Sequence, residues 1–378
     1  MLIALSDAFL GRTDALASDR EFRIALGNLL LAFQEGKHVF FASRALIQEL
    51  RRIPSFEQKL KIISQKEQES HSLLRKVCYM IEVTPNRGEK ITREQRENIT
   101  RFLVPYTWFV DSERIQMALL ITEDHRDAVV YERAARGYLH GERLKVKVAL
   151  QPVPGGGGNS AGQIEAWLGK RLIICILDSD RCSPNGHLGL TAKRAEALPI
   201  ANHVAELRIL DCHEIENILP EALIDAALTD LSGPKKEALS KKLGQLKVLG
   251  VFKEQSCAFL DLKIGLSLRK VLSGATEDAE RSYVGSLVSA LRPRLPCPPR
   301  GWCERQPRCA SFDCCECILF DNGWPILEHV TTYLERESNS TILFGLFFGG
   351  PQGTMQNRWR DIAASLFSWG CAFSKVAG

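Results

Sequence analysis

Residues 171–181 read RLIICILDSDR, and this stretch decides the fold prediction. The six apolar residues 172–177 run directly into Asp178, Ser179 and Asp180. A short apolar run ended by polar residues is typical of a buried strand in a parallel sheet. Ligands of open α/β sheets bind beyond the carboxyl ends of the strands. Residues two apart leaving a strand point the same way, so both aspartates can face one cation; alternatively, Asp-Ser-Asp simply opens a turn.

A second apolar run lies upstream and ends in the same way. Residues 117–122, MALLIT, lead into Glu123, and Asp127 follows at the start of a predicted helix. Two acidic strand ends in one sheet bring several carboxylates together. Clustered carboxylates repel one another unless a cation neutralises them, so the pattern predicts a Mg²⁺ or Mn²⁺ site.

The spacing of these residues resembles a known fold. Glu123-x-x-x-Asp127, about fifty residues of βα unit and then Asp178-x-Asp180 resemble the TOPRIM fold of topoisomerases, primases and metal-dependent nucleases. Three further segments resemble the OLD (overcoming lysogenization defect) nucleases. They are Glu214-Ile-Glu216-Asn217, Asp261-x-Lys263-x-Gly265 and LFSWG at 366–370. The resemblance covers roughly residues 113–275, and it departs at Asp124, where the family usually has glycine.

The resemblance implies a two-metal nuclease that cleaves phosphodiester bonds of DNA or RNA. The metal ligands that it implies are Glu123, Asp127, Asp178, Asp180 and Glu216. Glu123 and Lys263 are the implied catalytic residues, and Lys263 would neutralise charge that builds on the reacting phosphate. The sequence contains no G-x-x-x-x-G-K-[ST] motif, since the glycine run 155–158 lacks the lysine. The resemblance therefore implies a stand-alone antiphage effector that is regulated by a separate ABC-type ATPase.

A competing hypothesis is a TOPRIM-like binding or sensing subunit that performs no catalysis. Asp124 in place of glycine and an irregular cysteine-rich loop favour it. In that loop, half of the twelve cysteines fall within the 21 residues 297–317. The spacing of Cys314-x-x-Cys317 suits one tetrahedral Zn²⁺. We expect either a structural zinc or free thiols there, with candidate ligands Cys303, Cys309, Cys314 and Cys317.

Length and composition predict an α/β protein of about two or three domains. We expect a mainly helical domain at 1–110, a TOPRIM-like, mostly parallel sheet flanked by helices at 111–231, and an α-rich extension at 232–378. The chain is 45% hydrophobic and 25% charged, with a net charge of +4. It has no apolar run long enough to span a membrane and no signal-peptide pattern, and its twelve cysteines indicate a reducing compartment, so we expect a cytoplasmic protein.

The first 110 residues offer two interpretations. Residues 2–5 and 38–42 read as short strands, and the rest reads as helices, including a basic helix capped at Thr92. A strand followed by Asp7, then a helix bearing Glu49, resembles PIN-type ribonucleases. The alternative is a helical interaction platform.

Overall fold

The computed structural model describes residues 1–88, 90–249, 255–263, 282–283, 286–287, 326–350 and 353–375. Within these ranges the chain is α/β, with parallel sheets flanked by helices, as predicted. Of the described helices, none combines the length and the apolar character needed to cross a bilayer.

The first sheet has five strands in the order β2-β1-β3-β5-β4. The strands are β1 Leu2–Leu5, β2 Val39–Phe41, β3 Tyr79–Thr84, β4 Thr92–Arg96 and β5 Ile99–Pro105. All neighbours are parallel except the pair of β4 and β5. The accompanying helices are α1 Thr13–Ala17, α2 Arg20–Gln34, α3 Arg44–Leu50, α4 Glu57–Gln65 and α5 Glu67–Leu74.

The prediction of a mainly helical N-terminal domain is therefore wrong in part. The two short strands are present, but β3, β4 and β5 complete a sheet that the helical pattern did not indicate. β3 lies between β1 and β5, so both of its edges are paired and most of its residues are buried. Thr92 opens β4 instead of capping a helix, because this exposed segment pairs with β5. Pairing with β1, which is distant in the chain, and with the adjacent β5 overrides the local helical preference of β3 and β4 respectively.

The second sheet carries the candidate site and has the order β10-β9-β6-β8, all parallel. Its strands are β6 Ala118–Thr122, β8 Leu150–Pro154, β9 Ile173–Leu177 and β10 Ala205–Ile209. Its helices are α6 His125–Gly141, α7 Ser160–Trp167, α8 Leu190–Glu196 and α9 Glu221–Thr229. Every residue of β6 and β9 is buried, as expected for central strands covered on both faces.

Four helices form the described C-terminal part of the chain, and the last of them packs against strands of both sheets. They are α10 Gly233–Leu249, α11 Ile326–Arg336, α12 Ser340–Phe348 and α13 Thr354–Gly370. In α13, Trp359 and Trp369 are fully buried, and Trp359 Nε1 donates to the carbonyl of Ile218 at 2.6 Å. Ser368 Oγ accepts from the backbone N–H of Cys78 at 2.8 Å. One buried apolar cluster consequently includes residues of both sheets and of α13.

A two-stranded antiparallel sheet follows α13. β11 Cys371–Ala372 pairs antiparallel with β7 Lys147–Val148, and the amino group of Met1 donates to the carbonyl of Cys371 at 2.8 Å. The last turn of α13 contains the LFSWG segment, whose five residues are buried.

Candidate functional site

The segments that follow β6, β9 and β10 meet at the carboxyl edge of the second sheet. They enclose a cavity of about 420 Å³. The cavity is lined by acidic residues and Lys263, together with a few neighbours: Glu123, Asp124, Arg126, Asp127, Gly157, Asp178, Glu216, Lys263, Leu327 and Glu328. Four of the five carboxylates implied as metal ligands therefore line one cavity with the implied catalytic lysine.

Asp124 supplies the N-cap of α6. Its Oδ1 accepts from the backbone N–H of Arg126 at 2.8 Å, and its own N–H donates to Asp127 Oδ2 at 2.9 Å. This reciprocal pattern is a capping box, which satisfies two N–H groups that a helix start leaves unpaired. Asp124 thus has a structural role, and the capping bond also orients Asp127 at the cavity.

A glycine-rich loop borders the same cavity. Gly156 and Gly157 have φ of 67° and 66°, a region that favours glycine. Gly157 N–H donates to the carbonyl of Glu123 at 3.2 Å, which holds the loop against the end of β6. Gly157 is the member of this loop that lines the cavity.

Asp178 and Asp180 do not share an orientation. Asp178 is 7% exposed, and its Oδ1 accepts from the backbone N–H of Ile215 at 3.0 Å. Asp180 is exposed, has a φ of 52° and packs its carboxylate against Gly189. β9 ends at Leu177, so the alternation of an extended strand does not continue to Asp180. Asp180 does not line the cavity, but its charge is close enough to raise the pKa of Glu123, so its role as a metal ligand stays a prediction.

Asp178, Glu214 and Glu216 form a tight group, called here the carboxylate cluster. One ligand oxygen from each lies within 4.8 Å of the others, and all three side chains are buried. The sequence hypothesis included Glu216 but omitted Glu214. The sequence feature that could have identified Glu214 was its position two residues before Glu216, in the segment that follows β10. Glu214 is the N-cap of the 3-10 turn Ile215–Ile218, which brings it within reach of Asp178 and Glu216, and of the two glutamates Glu216 lines the cavity.

Lys263 is the cation of the carboxylate cluster. Its Nζ lies 2.9 Å from Glu214 Oε2, 3.5 Å from Glu216 Oε1 and 3.9 Å from Asp178 Oδ2. Burial alone would lower the pKa of Lys263, but the charges of Glu216 and Glu214 outweigh it and raise the pKa above its usual range. Lys263 is therefore a stable positive charge among three carboxylates.

One ammonium does not satisfy all of the acidic oxygens. Among the described residues, Glu123 Oε1, Glu214 Oε1 and Glu216 Oε2 are buried without a hydrogen-bond partner. Such orphaned oxygens are costly, which is why buried acceptors are normally paired. Several convergent carboxylate oxygens are the ligand set that Mg²⁺ and Mn²⁺ prefer. The residues present fit a divalent cation.

The protonation equilibria of these side chains reflect their burial. Burial, together with the charges of Asp180 and Asp127, raises the pKa of Glu123 to about 7. Burial raises the pKa of Asp127 to about 6, and burial with the charge of Glu214 raises that of Glu216 to about 8. Strongly perturbed carboxyl groups in a cleft are typical of functional sites.

The remaining predicted residues lie elsewhere. The candidate zinc ligands Cys303, Cys309, Cys314 and Cys317 fall outside the described residues. In the N-terminal region, Ser43 Oγ donates to Asp7 Oδ1 at 2.5 Å. Glu49 Oε2 accepts from the hydroxyl of Thr13 and from the N–H of Gly11. These bonds stabilise the segment after β1, so Asp7 and Glu49 have evident structural roles.

No protein-family model, curated protein or solved structure matches this chain. What the chain does must therefore be inferred from the chemistry of the site.

Proposed function

We propose that this chain is a Mg²⁺- or Mn²⁺-dependent nuclease that hydrolyses phosphodiester bonds of nucleic acid, with a TOPRIM-like catalytic domain at 111–231. One observation carries the proposal. Carboxylates from the ends of three parallel strands converge on one cavity with Lys263, and two of their buried oxygens, in Glu123 and Glu216, have no hydrogen-bond partner among the described residues. Such a site requires cations, and a phosphodiester is a substrate whose reaction two cations accelerate.

The carboxylate cluster and two further residues would hold the ions. Asp178, Glu214 and Glu216 offer the most buried oxygens, and Glu123 and Asp127 line the same cavity. When bound, Mg²⁺ or Mn²⁺ would orient a water and stabilise charge on the phosphate oxygens. Asp180 lies at the edge of this set: its carboxylate packs against Gly189, and its charge raises the pKa of Glu123.

Two residues have roles that follow from their charge. Glu123, with a pKa near 7, can accept a proton from the attacking water at neutral pH. Lys263 can shift from its carboxylates towards a phosphate oxygen and neutralise the charge that develops there.

The positive residue at the cavity margin suits a polyanion. Arg126 lines the cavity and forms an ion pair with Asp124. The N–H groups of Arg126 that Asp124 does not use can contact a substrate phosphate.

The antiphage role and regulation by a separate ABC-type ATPase belong to the same proposal. They rest on the OLD-like segments and on the sequence's lack of a P-loop motif.

The test is cleavage of supercoiled plasmid and total tRNA by purified protein with Mg²⁺, Mn²⁺ or EDTA. We expect metal-dependent cleavage of at least one substrate, and loss of it in Asp178→Asn. Asp211→Asn is the matched control, because Asp211 follows the neighbouring strand β10 but is exposed and paired with Arg358. Metal binding with no cleavage of either substrate would favour the non-catalytic binding or sensing subunit.

A further inference from the structure

A histidine extends the acidic site on one side. His213, Glu214 and Asp261 form a second group, called here the histidine cluster, with one ligand atom of each within 4.8 Å of the others. Glu214 thus belongs to both clusters. His213 is 9% exposed and Glu214 is 3% exposed, so two of the three ligands are largely removed from solvent.

The ring of His213 is held in one tautomer. Its Nδ1 lies 2.9 Å from the carbonyl oxygen of Arg181, which can only accept a hydrogen bond. Nδ1 therefore carries the proton, and in the neutral ring Nε2 presents a lone pair. Metal-binding histidines commonly have this arrangement, with the second ring nitrogen donating to a backbone carbonyl.

The main chain of His213 is fixed as well. Its N–H donates to the carbonyl of Ala258 at 2.7 Å, and its carbonyl accepts from the N–H of Asp180 at 2.9 Å. The imidazole is therefore positioned before any ion arrives, which lowers the entropic cost of binding.

The spacing of the ligand atoms suits an ion between them. His213 Nε2 lies 3.9 Å from Asp261 Oδ2, which is longer than a hydrogen bond. Two atoms that each bind a metal at about 2.1 Å lie about 3–4 Å apart. Asp261 is oriented by its Oδ1, which accepts from the N–H of Lys263 at 3.0 Å. Glu214 adds a buried Oε1 that has no partner in the described part of the chain.

We propose that His213, Glu214 and Asp261 form a second cation site that binds a first-row transition-metal ion such as Mn²⁺ in preference to Mg²⁺. Imidazole nitrogen favours transition metals, whereas Mg²⁺ takes oxygen ligands and water. The inference deepens the proposed function and rests on it in one respect, since Glu214 is shared with the carboxylate cluster. A shared carboxylate holds two ions close together, as two-metal phosphodiesterases require.

The test counts Mn²⁺ ions and identifies their ligands by electron paramagnetic resonance. We expect about two Mn²⁺ per wild-type chain, with a ¹⁴N coupling from histidine in the pulsed spectrum. His213→Asn should bind about one fewer ion and lose the ¹⁴N coupling, while its amide still donates to the Arg181 carbonyl. His71→Asn is the matched control, because His71 is exposed on α5 and should leave both results unchanged.

The second part of the experiment adds excess Mg²⁺ to the Mn²⁺-loaded protein. Mg²⁺ should displace the Mn²⁺ that lacks nitrogen coupling and leave the nitrogen-coupled ion bound. Should His213→Asn fail to fold, Asp261→Asn at a partly exposed position should also remove about one Mn²⁺. The proposal is overturned if wild type shows no ¹⁴N coupling, or if His213→Asn retains it.

The outcomes separate this inference from the proposed function. A nitrogen-coupled ion in a protein that cleaves no nucleic acid would support metal binding by the histidine cluster and contradict the proposed nuclease function. Mg²⁺-dependent cleavage without any ¹⁴N coupling would support the nuclease function and contradict metal binding by the histidine cluster.

Discussion

Asn217 Nδ2 donates to the carbonyl of Leu260 at 2.8 Å and so ties the acidic turn after β10 to the segment that carries Lys263. The same side chain accepts, through Oδ1, from the N–H of Glu214 at 2.9 Å. Asn217 is 2% exposed, and both of its partners are buried. One amide therefore sets the distance between Glu214 and Lys263.

Replacing Asn217 should test this link. Asn217→Ala leaves a buried N–H and a buried carbonyl unpaired, which should reduce the free energy of unfolding by about 1–3 kcal/mol. Urea denaturation measures the change. Asn202→Ala is the control, because Asn202 is exposed and should change stability by less than about 0.5 kcal/mol. Equal effects of the two substitutions would contradict the role given to Asn217.

Divalent metal should stabilise the folded protein through Asp178. At a Mg²⁺ concentration 100 times its Kd, mass action adds about 2.7 kcal/mol to the free energy of unfolding, seen as a rise in Tm. Asp178→Asn should abolish most of that rise. Asp180→Asn should retain most of it, because Asp180 is exposed and directed at Gly189. If the two variants lose the rise equally, Asp180 is a ligand after all.

The stability of the metal-free protein should fall as the pH rises. Glu216 has a pKa of about 8 in the folded protein against its ordinary 4.5, so the folded state binds the proton more tightly than the unfolded state. The contribution of protonated Glu216 to the free energy of unfolding is fully present below about pH 4.5, and it is lost as the pH rises through about 8. Glu123 and Asp127, with pKa values of about 7 and 6, add to the same trend.

Urea denaturation in EDTA between about pH 5 and about pH 8 measures this slope. Glu216→Gln should make the dependence shallower, and saturating Mg²⁺ should oppose the decline because the ion binds the ionised carboxylates. A stability that rises steadily over this range would show that the carboxyl groups ionise without penalty.

Lys263→Met should separate two roles of the lysine. Removal of the ammonium leaves three buried carboxylates without their cation, so the metal-free variant should be less stable and should gain more from added metal than wild type. If Lys263 also acts on the transition state, single-turnover cleavage should fall by about 10²–10³. Lys241→Met, which removes an exposed lysine from α10, is the control. Normal cleavage by Lys263→Met would leave the lysine only its role as a counter-ion.

The sequence by itself determined the architecture around the site. The apolar runs that became β6 and β9 are continuous, and such runs specify buried parallel strands wherever they pair. Glu123 and Asp178 follow these strands directly, so parallel pairing brings their backbones to the same edge of the sheet. The parallel α/β class was confirmed for this reason.

Tertiary structure alone decided the rest. β3 pairs with β1, which is distant in the chain, and a local helical pattern does not reveal that pairing. The placement of Asp180 against Gly189 follows from a backbone φ of 52°, which the strand pattern does not predict. The approach of Lys263 to Glu214 depends on Asn217, whose bond to Leu260 spans 43 residues. Local periodicity encodes which residues are buried, but the direction of a side chain beyond a strand end is set by contacts that form only when distant segments pack together.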